Sequence, residues 1–160
     1  MPYSDSVSRY IIYLAFLRMR KTSSRGRRPL TKAKLLPIPA GELRRIQFKH
    51  HVALAALHDI DEGIAQLATL VNAIYMAYLL DPNDPVPYRQ AETALLDYSH
   101  RAERGEPGML TDFERAAVEH VVARLDAALA AVPMYRYVRT IKKLQHMTMD
   151  DSIESPIPRE

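Results

Sequence analysis

Residues 63–80 read GIAQLATLVNAIYMAYLL, eighteen residues without a charge. Ile64, Leu67, Ala68, Val71, Ile74, Tyr75, Tyr78 and Leu79 recur at intervals of three and four, the repeat of one helix face. Ala65, Ala73, Met76 and Leu80 make the opposite face apolar as well. A helix apolar around most of its circumference lies at the centre of a bundle, in a bilayer or against another subunit. Gln66, Thr69 and Asn72 interrupt the run, and the acids Glu62 and Asp81 flank it where membrane helices carry aromatic or basic anchors. The run therefore reads as the central helix of an all-α bundle. Met76 and Leu80 are the expected contact of a homodimer, through apolar surface left on that helix.

The neighbouring segments repeat the helical pattern. Upstream, Leu43, Ile46, His50, Ala53, Leu54 and Leu57 form one stripe over 42–57. A turn at 58–63 joins it to the central helix, with Asp59 or Asp61 as cap. Downstream, three prolines in residues 81–87 exclude a helix interior. A helix over 88–104 follows, with Ala91, Leu95, Tyr98 and Ala102 inward, and Gly105 and Gly108 end it. Thr111 and Glu114 have the spacing of a capping box. They open a helix over 112–132 with Val118, Val121, Val122, Leu125, Ala128, Leu129 and Val132 inward. Pro133 breaks the chain into a last helix over 134–147, with Tyr137, Val138, Ile141 and Leu144 inward. The expected architecture is a bundle of about five helices over 41–147. Residues 1–40 precede it as an N-terminal segment with a basic, flexible arm. Residues 148–160, with two prolines and four acids, read as a disordered tail.

The net charge of +3 hides a segregated chain. Residues 1–49 carry 12 basic and 2 acidic side chains, whereas 50–132 carry 5 basic and 13 acidic ones. Between Arg18 and Lys34 there are eight positive charges and no acid. Such a run can track a phosphate backbone, and it can equally solubilise the chain or dock on the acidic bundle. The nucleic-acid-binding candidates are Arg20, Lys21, Arg25, Arg27, Arg28, Lys32 and Lys34 in the arm. Arg136, Arg139 and Lys143 join them, sharing a face of the last helix at i, i+3 and i+7. The acids Asp59, Asp61 and Glu62 are the alternative, a phosphate-mimicking surface for a protein partner. The apolar run 10–17 is too short to span a bilayer, and its positive charges follow it instead of preceding it, which argues against secretion. Met19 is an alternative start of the natural product, so residues 1–18 stay unassigned. The expected location is the cytoplasm.

Catalytic and metal chemistry find little support. The absence of cysteine excludes disulfides, thiolate zinc sites and a thiol nucleophile. The six histidines lack the i, i+4 pairing of a helical zinc site, and the acids sit in turns where backbone geometry explains them. No glycine-rich phosphate loop and no nucleophile elbow occurs. No catalytic residue, metal or cofactor is expected.

Residues 30–39 (LTKAKLLPIP), 50–57 (HHVALAAL) and 73–80 (AIYMAYLL) together resemble a group of small proteobacterial proteins carried by phages, plasmids and integrated elements. That group is labelled "Fis family transcriptional regulator", and the similarity extends over about 27–145. The resemblance implies DNA binding and transcription regulation by a mobile-element accessory protein. The C-terminal helix-turn-helix of Fis itself is not evident here, so no base-reading residue is carried over. The first expectation is a non-enzymatic helical nucleic-acid-binding protein. The alternative is an inhibitor or adaptor of the anti-defence type that binds a protein.

Overall fold

The computed structural model describes residues 31–57, 60–106, 109–149 and 154–159, with the side chains of 60–62 and 148–149 excepted. Among them are six helices: α1 (Lys32–Leu35), α2 (Ala40–Ala55), α3 (Ile60–Leu80), α4 (Val86–Glu103), α5 (Asp112–Ala131) and α6 (Met134–Met149). The protein is an all-α bundle, with the short α1 added to the five expected helices.

Local chemistry sets the boundaries. Pro39 occupies the N-cap position of α2, and that helix begins two residues before the expected start at 42. Pro87 lies in the first turn of α4, where its missing N–H is no loss, and Asp84 Oδ1 accepts the Val86 N–H at 3.2 Å. At the far end of α4, Gly105 adopts φ +70°. The Glu106 N–H then reaches Arg101 O and the Gly105 N–H reaches Ala102 O, both at 3.0 Å, in a Schellman arrangement. Thr111 and Glu114 form the expected capping box on α5. Pro133 ends α5 and starts α6, its carbonyl accepting from Arg136 N at 3.0 Å.

Helix α3 packs against α2, α4, α5 and α6, while α5 packs against α2 and α4. By length and composition alone, 63–80 could cross a membrane; here it occupies the middle of the bundle. Burial peaks on Ala68, Leu70, Ala73, Ile74 and Ala77, rotated away from the stripe that the spacing favours, and Ile64 is 47% exposed. Met76 and Leu80 are 8% and 6% exposed. They belong to the protomer's own core, which removes them as the expected dimer contact. Four packed neighbours account for most of the all-round apolarity of this helix, while Ile64 and Ala65 near its start stay exposed.

Two segments at the edges of the bundle are docked where they are described. On the N-terminal side these are residues 36–38, which follow the basic run Arg18–Lys34, and most of that run lies outside the described residues. Met134 N–H donates to Leu36 O at 2.9 Å, Pro37 and Pro133 form an antiparallel bridge, and Ile38 is 5% exposed. The tail is ordered over 154–159, because Ile157 is 2% exposed in the core cluster. Ser155 and Arg159 lie beside Tyr75, whose hydroxyl donates to Glu92 Oε1 at 2.7 Å. Acidity and prolines gave the tail its disordered reading, but one buried isoleucine outweighs them. Burial of such a side chain contributes about 2 kcal/mol. Ile157→Ser is therefore expected to lower the midpoint of thermal unfolding by about 5 °C, measurable by scanning calorimetry.

Candidate nucleic-acid interface

Helix α6 is the most sharply two-faced helix of the bundle. Leu144 and Thr140 are buried, and Tyr137, Ile141 and Met134 pack against the core. Arg136, Arg139, Lys142, Lys143 and His146 are exposed. At about 100° per residue these five fall within an arc of about 120°. No acid occurs between Met134 and Met149. The cationic face is thus the direct complement of the buried one. Val138, expected inward, is 40% exposed at the edge between them.

Helix α1 lies against α6. Its Lys32 and Lys34 are exposed, so the fold brings the end of the basic lead alongside the basic helix that follows a hundred residues later. The bridge between Pro37 and Pro133 holds this junction together. Tyr137 faces the bundle. Burial pushes its phenol up to about 12, and the charge of Glu42 adds to the effect.

Not every member of the set is free for a ligand. Arg136 Nη2 donates to Leu80 O at 3.3 Å, so this cation also closes the C-terminal end of α3, where the helix dipole favours positive charge. Arg139, Lys142 and Lys143 carry no such duty in the hydrogen-bond pattern. Arg20, Lys21, Arg25, Arg27 and Arg28 lie outside the described residues. So does Asp59, and the side chains of Asp61 and Glu62 are not described.

Four acids of the bundle are spent on internal pairs. Asp81 binds Arg124 at 3.0 Å, Glu114 binds Arg101 at 2.7 Å, Glu106 binds Arg104 at 2.6 Å and Asp126 binds His51 at 2.7 Å. Among the described residues, no three His, Asp or Glu side chains come together to hold a metal. A shallow open groove runs along α4 to the start of α5, lined by Val86, Gln90, Thr93, Asp97 and Phe113 among others.

The histidines divide between core and surface. His50 is 6% exposed between α2 and the bundle. Burial brings its imidazole down to about 4; Lys49 and His51 push the same way and Asp126 opposes them. The folded form thus holds His50 neutral while the unfolded chain protonates it near 6.5. Its contribution to stability is complete above 6.5 and is lost as pH falls toward 4. The full displacement, from 6.5 to about 4, amounts to about 3 kcal/mol. His50→Leu is expected to flatten the decline of the thermal midpoint over that window, tested by melting curves at stepped pH.

No protein-family model, no curated protein and no solved structure matches the chain.

Sequence spacing found Arg136, Arg139 and Lys143. The basic patch read from the last helix included Lys142 as well, and what the spacing missed is the union of α6 with α1, which depends on a contact between distant segments. Spacing also missed Phe48, 70% exposed on α2 and outside that helix's inward stripe.

Proposed function

We propose that this chain is a non-enzymatic nucleic-acid-binding accessory protein that engages phosphates through the outer face of α6 and the adjoining lysines of α1. One observation carries the reading: five cationic or titratable side chains share one exposed helix face that has no acid, and the described end of the basic N-terminal lead, with Lys32 and Lys34, abuts it. Lys and Arg so arranged neutralise phosphates and release counterions, an interaction that needs no base-specific geometry. The resemblance of 27–145 to mobile-element regulators supports the same reading, and a regulatory role in the cytoplasm belongs to it. The protein-inhibitor alternative is less favoured, because Asp81, Glu92, Glu106, Glu114 and Asp126 already hold internal basic groups or a hydroxyl.

The test is a salt titration of binding to labelled duplex and single-stranded oligonucleotides, read by fluorescence anisotropy. The variant combines Arg139→Ala, Lys142→Ala and Lys143→Ala, and leaves Arg136 to its contact with α3. On duplex DNA the slope of log affinity against log salt is expected to shrink by about 3, and affinity near 0.1 M salt to fall on the order of a hundredfold. An unchanged slope would remove α6 from the interface. Absence of binding by the wild-type chain at low salt would end the reading altogether.

A further inference from the structure

Helix α2 presents a second surface. Leu43, Ile46, His50, Ala53 and Leu54 turn toward the bundle. Phe48 and Val52 stand on the opposite side, 70% and 45% exposed. Arg44 lies one turn before Phe48 on the same ridge, and Arg45 and Lys49 form the ridge beside it; all three are exposed. Arg44 Nε donates to Ala40 O at 3.3 Å. No acid occurs between Glu42 and Asp59. His51 is turned aside to Asp126.

Two features of this ridge are costly within the isolated chain. A phenyl ring stands in water opposite the core. Arg45 and Lys49 are like charges one helical turn apart, an unfavourable pair on a helix surface. A ligand with an apolar flat face and a negative backbone relieves both. A second copy would bury the ring and bring the same positive charges together.

We propose that the outer face of α2 is a stacking platform for an unpaired base, with Phe48 under the base and Arg44, Arg45 and Lys49 on the flanking phosphates, so that the preferred partner is single-stranded nucleic acid. This rests on the nucleic-acid reading above and names its substrate class. Every base has a π face, so such a platform tolerates sequence, and paired bases hide theirs within the duplex.

The chain contains no tryptophan, so Phe48→Trp places a single tryptophan at the proposed platform, excited selectively at the red edge beyond tyrosine absorption. A thymidine oligonucleotide of about 12 residues, near the site size of one single-strand-binding module, is titrated against it, with a duplex of equal length as control. The single strand is expected to quench the emission strongly, with salt reversing the effect, while the duplex leaves most of it. In parallel, Phe48→Ala is expected to lower single-strand affinity by about 5- to 100-fold in anisotropy and to spare duplex affinity. Unquenched emission from a chain that binds the single strand by anisotropy overturns the platform and leaves the α6 reading standing. A shift of emission with protein concentration, without oligonucleotide, puts a second copy over Phe48 and overturns it as well. Failure to bind either nucleic acid defeats both readings.

Discussion

Replacing Glu114 by alanine is expected to destabilise the protein by about 3 to 4 kcal/mol, a drop of about 10 °C in the thermal midpoint. The carboxylate does three jobs. It takes both terminal nitrogens of Arg101 at 2.7 Å. It accepts the Thr111 N–H at 2.8 Å while Thr111 Oγ1 accepts the Glu114 N–H at 3.2 Å. Through Arg101, which also reaches Met109 O at 3.2 Å, it ties the end of α4 to the start of α5. The pair is mostly buried, with side-chain exposures of 21% and 12%. Removing one partner leaves a cation in a poorly solvated place, which costs more than the pair itself is worth. Glu114→Gln keeps an acceptor for the cap and loses the charge, so a smaller loss, about 2 kcal/mol, is expected. Arg101 first, and then the Thr111 N–H, hold the Glu114 carboxyl below its ordinary range. Its contribution is therefore complete above the unfolded carboxylate value and is lost as pH falls through the lower folded one. The gap between wild type and Glu114→Ala should narrow in that acid window. Urea titrations at neutral and acid pH measure it.

Tyr88→Ala is expected to cost still more, about 4 to 5 kcal/mol. The ring is fully buried. Its hydroxyl donates to Asp81 O at 2.9 Å, and its edge meets Tyr78 at 5.7 Å between centroids. Arg124 stands 4.7 Å over the ring while its Nη2 holds Asp81 Oδ2 at 3.0 Å. One side chain thus fixes the proline-rich connector to three helices. Truncation leaves a cavity of aromatic size and strips Arg124 of its π partner. Tyr88→Phe removes only the hydroxyl bond, and about 1 kcal/mol is expected. Equal losses for the two variants in urea titration would show that the hydroxyl, not the ring, anchors the connector.

Much of the bundle was legible because its signals are local. Thr111 and Glu114 are three residues apart, and Pro133 acts on its own neighbours. The inward valines of α5 repeat within two turns. What escaped depends on distance. Arg101 finds its acid thirteen positions later, across a Schellman turn. Gly63 looked like the edge of an apolar run. In the fold a Cβ there would stand 3.1 Å from the Tyr98 hydroxyl, so the glycine permits α4 to come close. Met76 and Leu80 looked surplus to one core because periodicity cannot count how many helices surround another. Ile157 was hidden by its polar neighbours. For the interface, spacing along one helix yielded the α6 face, but nothing local announces that α1 lies beside it or that Phe48 points outward.

The central position of α3 also bears on how the chain is made. Its eighteen uncharged residues are synthesised before α4, α5, α6 and Ile157, which together cover them. At the usual elongation rate of about 5 to 20 residues per second, the roughly eighty residues between Leu80 and Ile157 take about 4 to 16 s. Over that interval the nascent helix shows a chaperone or a bilayer the same greasy surface that the finished bundle conceals. Slow synthesis of 81–157, not weak packing, is then the stage at which this protein is most open to aggregation or misdirection.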